Sequence, residues 1–451
     1  MNRFSFASTR TLWGFIILIA ITLSALPKAE ASPKDPILFS VPGGVYTKDV
    51  TLKLSAGASP GVIRYTLDES EPTEKSPQFS EPLVIINTTV VKAKIYPKSG
   101  PPGPTSLEVY TMVDATLAAS TSNLPMVLIH NVAGRVNSRN AAPCFARVFS
   151  AAKGRSSMTG QVDFEGLGTI KRRGRSSLEY PKNSFTLHTV DSQGEPLKAP
   201  ILGMPKESAW VLYAPYPDKT LMRDALAYKL SNEMGRYAPR TRFVELYVSR
   251  PGTKVTRRSY AGVYVLLEKI KRDKNRVNIA KLTPEDKQEP EISGGYIFKK
   301  DHSDKGDPGF TTSRGNHFYY DTPKAEEITS AQRSWLVNYL NRFESALYGP
   351  KFRDPEHGYA AYVDTDSLID QHWIVELSKN IDGIRFSNFM HKDRGGKIKM
   401  EPIWDWNLSF GNAWGKGGYL PEEWYSDQLR SSEHLWFPRL FEDPDFQQKY
   451  I

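Results

Sequence analysis

A single cysteine, Cys144, serves all 451 residues, so no disulfide can close within the chain and stability must come from its core. Beyond the N-terminal leader there is no apolar run long enough to span a bilayer. No internal repeat is apparent, and nothing singles out nucleic acid as a partner. Acidic residues are the scarcer charge, 50 against 59 lysines and arginines, and that excess favours anionic partners without selecting among them.

Arg3 and Arg10 precede an apolar run from Leu12 to Leu26, and Ala29-Glu30-Ala31 offers a small-x-small cleavage site. Residues 1–31 therefore read as a secretory signal peptide. The run is broken by Thr22 and Ser24 and falls short of the roughly 20 residues of a spanning helix, which favours cleavage over an uncleaved anchor. Ser32, rather than Cys, excludes lipid attachment there. Losing Arg3, Arg10, Lys28 and Glu30 lowers the formal charge from +9 to +7. The expectation is an exported protein, periplasmic, surface-bound or extracellular, of bacterial type, with no transmembrane span after removal of the leader. The mature chain is long enough for two or three domains.

From residue 33 to 113, short alternating strands separated by turn residues, such as Val62–Thr66 and Val90–Ile95, predict an antiparallel all-β sandwich. Arg64–Thr73, with Asp68, Glu69 and Glu71, resembles the signature turn of the immunoglobulin-like domain at the C-terminus of chitobiases and β-hexosaminidases. Phe39–Tyr46 and Val91–Lys94 fit the same pattern, while Glu69 stands where it has a glycine. The resemblance implies an accessory module, a spacer or a glycan binder. Glycoside hydrolysis is disfavoured, because no catalytic carboxylate pair accompanies it. An Ala, Ser and Thr rich stretch near 114–123 reads as a linker.

Residues 124–451 mix strands and helices. Thr169–Ser177 reads as a strand running into a tight loop, and Lys182–His188 as the next strand. Met222, Leu226, Leu230 and Met234, capped by Asp218 and stopped by Gly235, predict a helix with that stripe in the core. Phe243–Val248 and Gly262–Leu267 read as strands, and 330–348 and 366–379 as helices, the second capped by Asp366. Basic residues cluster at Lys171, Arg172, Arg173 and Arg175, and again from Lys269 to Arg276, where solvated surface is the default reading.

Ile403-Trp404-Asp405-Trp406-Asn407-Leu408 sets one carboxylate in an apolar run, where it must meet a cation or a metal or stay protonated. Asp382 and Asn388 lie upstream as further candidate donors. Ile170–Ser177, Tyr180–Phe185, Leu221–Asp224, Tyr264–Ile270, Gly294–Ile297 and Trp404–Asn412 resemble, in order, the motifs of the spore coat protein H (CotH) kinases. The resemblance implies an atypical, α+β protein-kinase-like domain that moves the γ-phosphoryl group of ATP, with Mg2+ or Mn2+, to a serine or threonine of an acceptor protein. Lys182 is then the residue on the nucleotide phosphates and Asp382 the catalytic base or hydroxyl-positioning residue. Asp405 and Asn388 become metal ligands. Gly174 and Ser176 form a phosphate-covering loop, and Arg223 and Glu268 are nucleotide-binding candidates, Glu268 where the lobes connect. The alternative is a catalytically inactive surface or glycan-binding protein. The last residues read as a helix just starting, which leaves a truncated C-terminus open.

Overall fold

The computed structural model describes residues 37–56, 61–131, 134, 136–151, 154–302, 308–430 and 432–451. The leader lies outside the described residues. The N-terminal domain is β-rich. Strands β1 (Ile37–Phe39) and β4 (Leu54–Ala56) pair, as do β3 (Val50–Leu52) and β6 (Leu83–Ile85). The order β2-β8-β7-β5 joins β2 (Gly44–Tyr46), β8 (Ser106–Met112), β7 (Thr89–Tyr96) and β5 (Val62–Thr66). Alternation along β7 turns Val91, Ala93 and Ile95 inward against Leu52, Tyr110 and Met112.

The stretch expected to be a linker holds a short helix, α1 (Ala115–Ala118), capped by the Asp114 side chain, and the two domains are docked. Val113 and Leu117 pack with Met126, Phe149 and Val255. Arg147 on the barrel donates to the Val109 carbonyl at 3.0 Å and to the Thr111 hydroxyl. Glu69, the departure from the glycine of the signature turn, adopts a φ of 70° and approaches His130 Nε2 at 3.4 Å.

Seven strands then close into a barrel, β10-β11-β12-β15-β17-β16-β9. They are β9 (Met126–Asn131), β10 (Ala142–Phe149), β11 (Val162–Arg173), β12 (Ser184–Thr189), β15 (Ala209–Tyr213), β16 (Thr241–Ser249) and β17 (Tyr260–Glu268), with the hairpin of β13 (Ala199–Ile201) and β14 (Met204–Glu207) inserted before β15. Ile170, Leu187, Trp210, Leu212 and Leu266 fill the interior. The alternate residues Val211 and Leu267, paired across β15 and β17, face outward into the core of the C-terminal region. Period-two alternation thus gives the barrel two apolar faces on this side.

Helix α2 (Arg223–Glu233) lies between β15 and β16. Most of its expected stripe is turned outward: Met222, Leu226 and Met234 are exposed and only Leu230 packs against the core, while Asp224, Ala227, Tyr228 and Ser231 are buried. That buried face repeats at i, i+3, i+4 and i+7, as a helix face should, but it is small and polar. Small side chains let the helix approach closely while Asp224 and Tyr228 reach the cleft. Asp218 does support the turn into the helix, accepting from the Arg223 amide at 2.9 Å.

A second sheet, β19-β20-β18-β21-β22, combines β18 (Tyr296–Lys300), β19 (Gly309–Thr311), β20 (His317–Thr322), β21 (Asn388–Lys392) and β22 (Ile398–Lys399). Helices α3 (Ser330–Tyr348) and α4 (Thr365–Ser378) pack on it with α5 (Phe437–Leu440) and α6 (Pro444–Tyr450). Asp364, not Asp366, caps α4, because its side chain accepts from the Ser367 amide. Among the described residues no helix is long and apolar enough to cross a membrane.

Candidate active site

A cleft of about 1110 Å³ is lined by β11, β12, α2, the ends of β17 and β18, and the segments 382–387 and 404–408. Its barrel wall comes from alternate residues: Thr169, Lys171 and Arg173 on β11, and Ser184, Thr186 and His188 on β12. Gly174 and Ser176 line the same opening, and a Cβ on Gly174 would sit 1.8 Å from Ser177 Oγ. With its φ of 116°, this turn accepts only glycine without displacement.

Asp405 and Asp382 both reach this cleft. The buried side chains of Ile403 and Trp406 anchor this irregular segment, and a left-handed φ of 64° at Asp405 turns its carboxylate into the opening. The Asp405 amide donates to Tyr228 Oη at 3.1 Å, and Asn407 Nδ2 donates to Asp405 Oδ1 at 2.9 Å. The carboxylate is open to the cleft yet set at its floor. Burial, then repulsion from Asp382, holds it above the ordinary carboxylate range, opposed by Arg173 and Lys299. Asp382 follows the C-terminus of α4, where Lys379 takes a left-handed φ of 45°. Burial raises its carboxyl too, and Arg385 and His302 oppose the rise.

Four expected site residues lie elsewhere. Lys182 precedes β12, is absent from the cleft wall, and donates to the Val263 carbonyl at 2.5 Å above the Tyr264 ring. Asn388 pairs with Lys300 across β21 and β18, whereas the cleft-facing Lys299 pairs with Phe389. One step along a strand reverses the face, so Asn388 points into the core, beside Met400 Sδ at 3.8 Å. Glu268 is fully buried and held by Arg276 at 2.9 Å and Arg240 at 2.9 Å. Arg223 grips Asp218 and the carbonyls of Ser409 and Phe410, at 3.0 and 3.2 Å, so it fastens the segment after Asp405 to α2.

The basic run from Lys269 to Arg276 is only in part a solvated face, with Lys274 exposed. Arg276 is buried between Glu207, Glu268 and Asp273, while Lys269 lines the cleft. Anchoring Glu268 on one side of the strand end aims its neighbour Lys269 to the other.

Residues without an assigned role in the sequence reading complete the site: Arg173, Lys269, Lys299, Asp301 and Asp224. Arg173 sits over the Trp404 ring at 5.4 Å. Asp224 is 4% exposed, and its Oδ1 accepts from the Trp406 amide at 2.7 Å. Burial first, then repulsion from Asp405, raises its carboxyl. The only sequence signal for Asp224 was its place beside Arg223 in a family motif. The floor therefore offers oxygen donors, and both walls offer cations, the arrangement that binds a metal-bearing polyphosphate.

If Lys182 stands outside the phosphate site, Lys182→Ala is expected to change ATP affinity within about twofold. Arg173→Ala is expected to weaken it about tenfold or more. Calorimetric titration of both variants checks the difference.

Fold and cleft thus define a β-rich module docked on a domain built around an acidic-floored, cation-walled cleft. The family model described as CotH kinase protein matches residues 170–451, well over half of the chain, and the chain belongs to that family. The chitobiase/beta-hexosaminidase C-terminal domain model matches residues 41–107. No curated protein matches the chain.

Proposed function

We propose that this protein is an exported atypical protein kinase, with an immunoglobulin-like N-terminal module and a kinase-like catalytic domain, that phosphorylates serine or threonine hydroxyls of a surface or secreted protein. The observation that carries the reading is the convergence of Asp382 and Asp405 in one cleft with cations on both walls. Phosphoryl transfer needs position and charge neutralisation more than covalent help from the protein, and these residues supply both.

Asp405 fits Mg2+ or Mn2+: it is a hard oxygen donor, open to the cleft and flanked by other carboxylates. When bound, the ion would neutralise and align the phosphate oxygens. Arg173 and Lys299 bear on the same charge from opposite walls, and Lys269 adds a third cation. Gly174 and Ser176 bring backbone N–H groups to the opening. Asp382 orients the acceptor hydroxyl and takes its proton as the oxygen attacks the γ-phosphorus and ADP leaves. Its raised pKa makes it a better proton acceptor than an exposed aspartate.

Calorimetry with ATP, ADP and AMP, each with Mg2+, tests the phosphate site. Affinity is expected to rise with each phosphate. Equal affinities, or no binding, would remove the basis of the reading.

A further inference from the structure

The geometry points to Asp224 as the partner of Asp405 in holding the catalytic divalent cation, in the place the sequence reading gave to Asn388. This rests on the kinase reading and deepens it. Asp224 Oδ2 is a buried oxygen with no hydrogen-bond partner among the described residues, on a side chain that lines the cleft. The facing Tyr213 hydroxyl is likewise buried and without a hydrogen bond. It is close enough to lower the Asp224 carboxyl, against the rise from burial and from Asp405.

An unpaired buried carboxylate is costly unless a cation compensates it or it takes up a proton, and a cation in the cleft selects the charged form. No ion pair to Asp224 occurs among the described residues. The adjacent Arg223 guanidinium turns away, to Asp218 and to the carbonyls of Ser409 and Phe410. Meanwhile Oδ1 of Asp224 is fixed by the Trp406 amide, one residue after Asp405. That bond ties the Asp224 carboxylate to the backbone of the segment that carries Asp405 and leaves Oδ2 without a partner. Among the described residues no three His, Cys, Asp or Glu side chains converge as a metal cage. A pair of carboxylates completed by nucleotide phosphates and water is the arrangement Mg2+ favours. Asn388 cannot take this place, because it faces the opposite side of its sheet.

The test is Mn2+ binding to the full chain, read by electron paramagnetic resonance in the presence of a non-hydrolysable ATP analogue. Asp224→Asn keeps an acceptor for the Trp406 amide while removing the charge and replacing the second oxygen by an NH2 donor. It is expected to weaken Mn2+ about tenfold or more with the thermal midpoint preserved. Unchanged Mn2+ affinity in the variant, with tight binding by the native chain, would overturn this inference and leave the kinase reading standing. No Mn2+ binding by the native chain would overturn both. A second measurement needs no variant: Fe2+ substituted for the metal, with ascorbate and peroxide, is expected to cleave the native backbone next to both Asp224 and Asp405. Cleavage at Asp405 alone would overturn the assignment.

Discussion

Asp405→Ala is expected to lower phosphoryl transfer on the order of 10³-fold or more while the fold persists. The fold should survive because the side chain bears little packing: it is open to the cleft, and its removal relieves repulsion around Asp224. Neighbouring Trp406 is the anchor, buried and donating from Nε1 to Ser378 Oγ at 2.9 Å. The loss should be in transfer and metal dependence, not in the melting midpoint. Raising Mn2+ concentration should not restore the native rate, since the missing group also sets where the ion sits. Single-turnover label transfer beside a melting curve separates the two effects.

Glu268→Gln is expected to destabilise the domain by about 3–5 kcal/mol, because it strips one partner from a buried charge pair. Both Glu268 and Arg276 side chains are 0% exposed, so water cannot replace the lost carboxylate. Arg240 also bonds it, with its amide donating at 3.0 Å. The guanidinium of Arg276 would be left with Glu207 and Asp273, at 3.7 and 3.2 Å. Denaturant titration checks this; a loss below about 1 kcal/mol would show that the pair carries little of the barrel's stability. Because Glu268 fixes the strand end that presents Lys269, weaker nucleotide binding should accompany the lost stability.

Asp405 was legible in the sequence because a lone carboxylate between Trp404 and Trp406 contrasts with its surroundings, and such contrast survives without a structure. The strands β16 and β17 were legible for a similar reason, through their apolar alternation. Asn388 was not, since its spacing from Asp382 carries no information about register, and register decides the face. Lys182 was misplaced by the same kind of error at a strand edge: β12 begins at Ser184, and the lysine finds a backbone carbonyl before it can reach the cleft. Arg276 looked like surface because composition cannot reveal that three carboxylates from Glu207, Glu268 and Asp273 converge on it. Helix α2 turned most of its expected face outward: small Ala227 and Ser231 went inward and Leu226 outward, with Leu230 alone of the stripe kept against the core. Asp224 followed from that inversion, as did its approach to Asp405.

The docked N-terminal domain has the same lesson in smaller form. A stretch rich in Ala, Ser and Thr reads as a tether, yet Leu117 is buried within it and Val113 just before it, and Arg147 spans the boundary to two N-terminal strand residues. Glu69 replaces a glycine of the signature turn and is turned toward the barrel rather than to solvent.

The most direct test of the central claim is the initial rate at which the native full chain moves label from γ-labelled ATP to a protein acceptor with Mg2+ or Mn2+, measured beside Asp382→Asn. The account predicts metal-dependent transfer by the native chain and a loss of roughly 10²–10⁴-fold in the variant, with ATP binding retained. Native-level transfer by the Asp382 variant, or no transfer by a native chain that binds ATP, would contradict it.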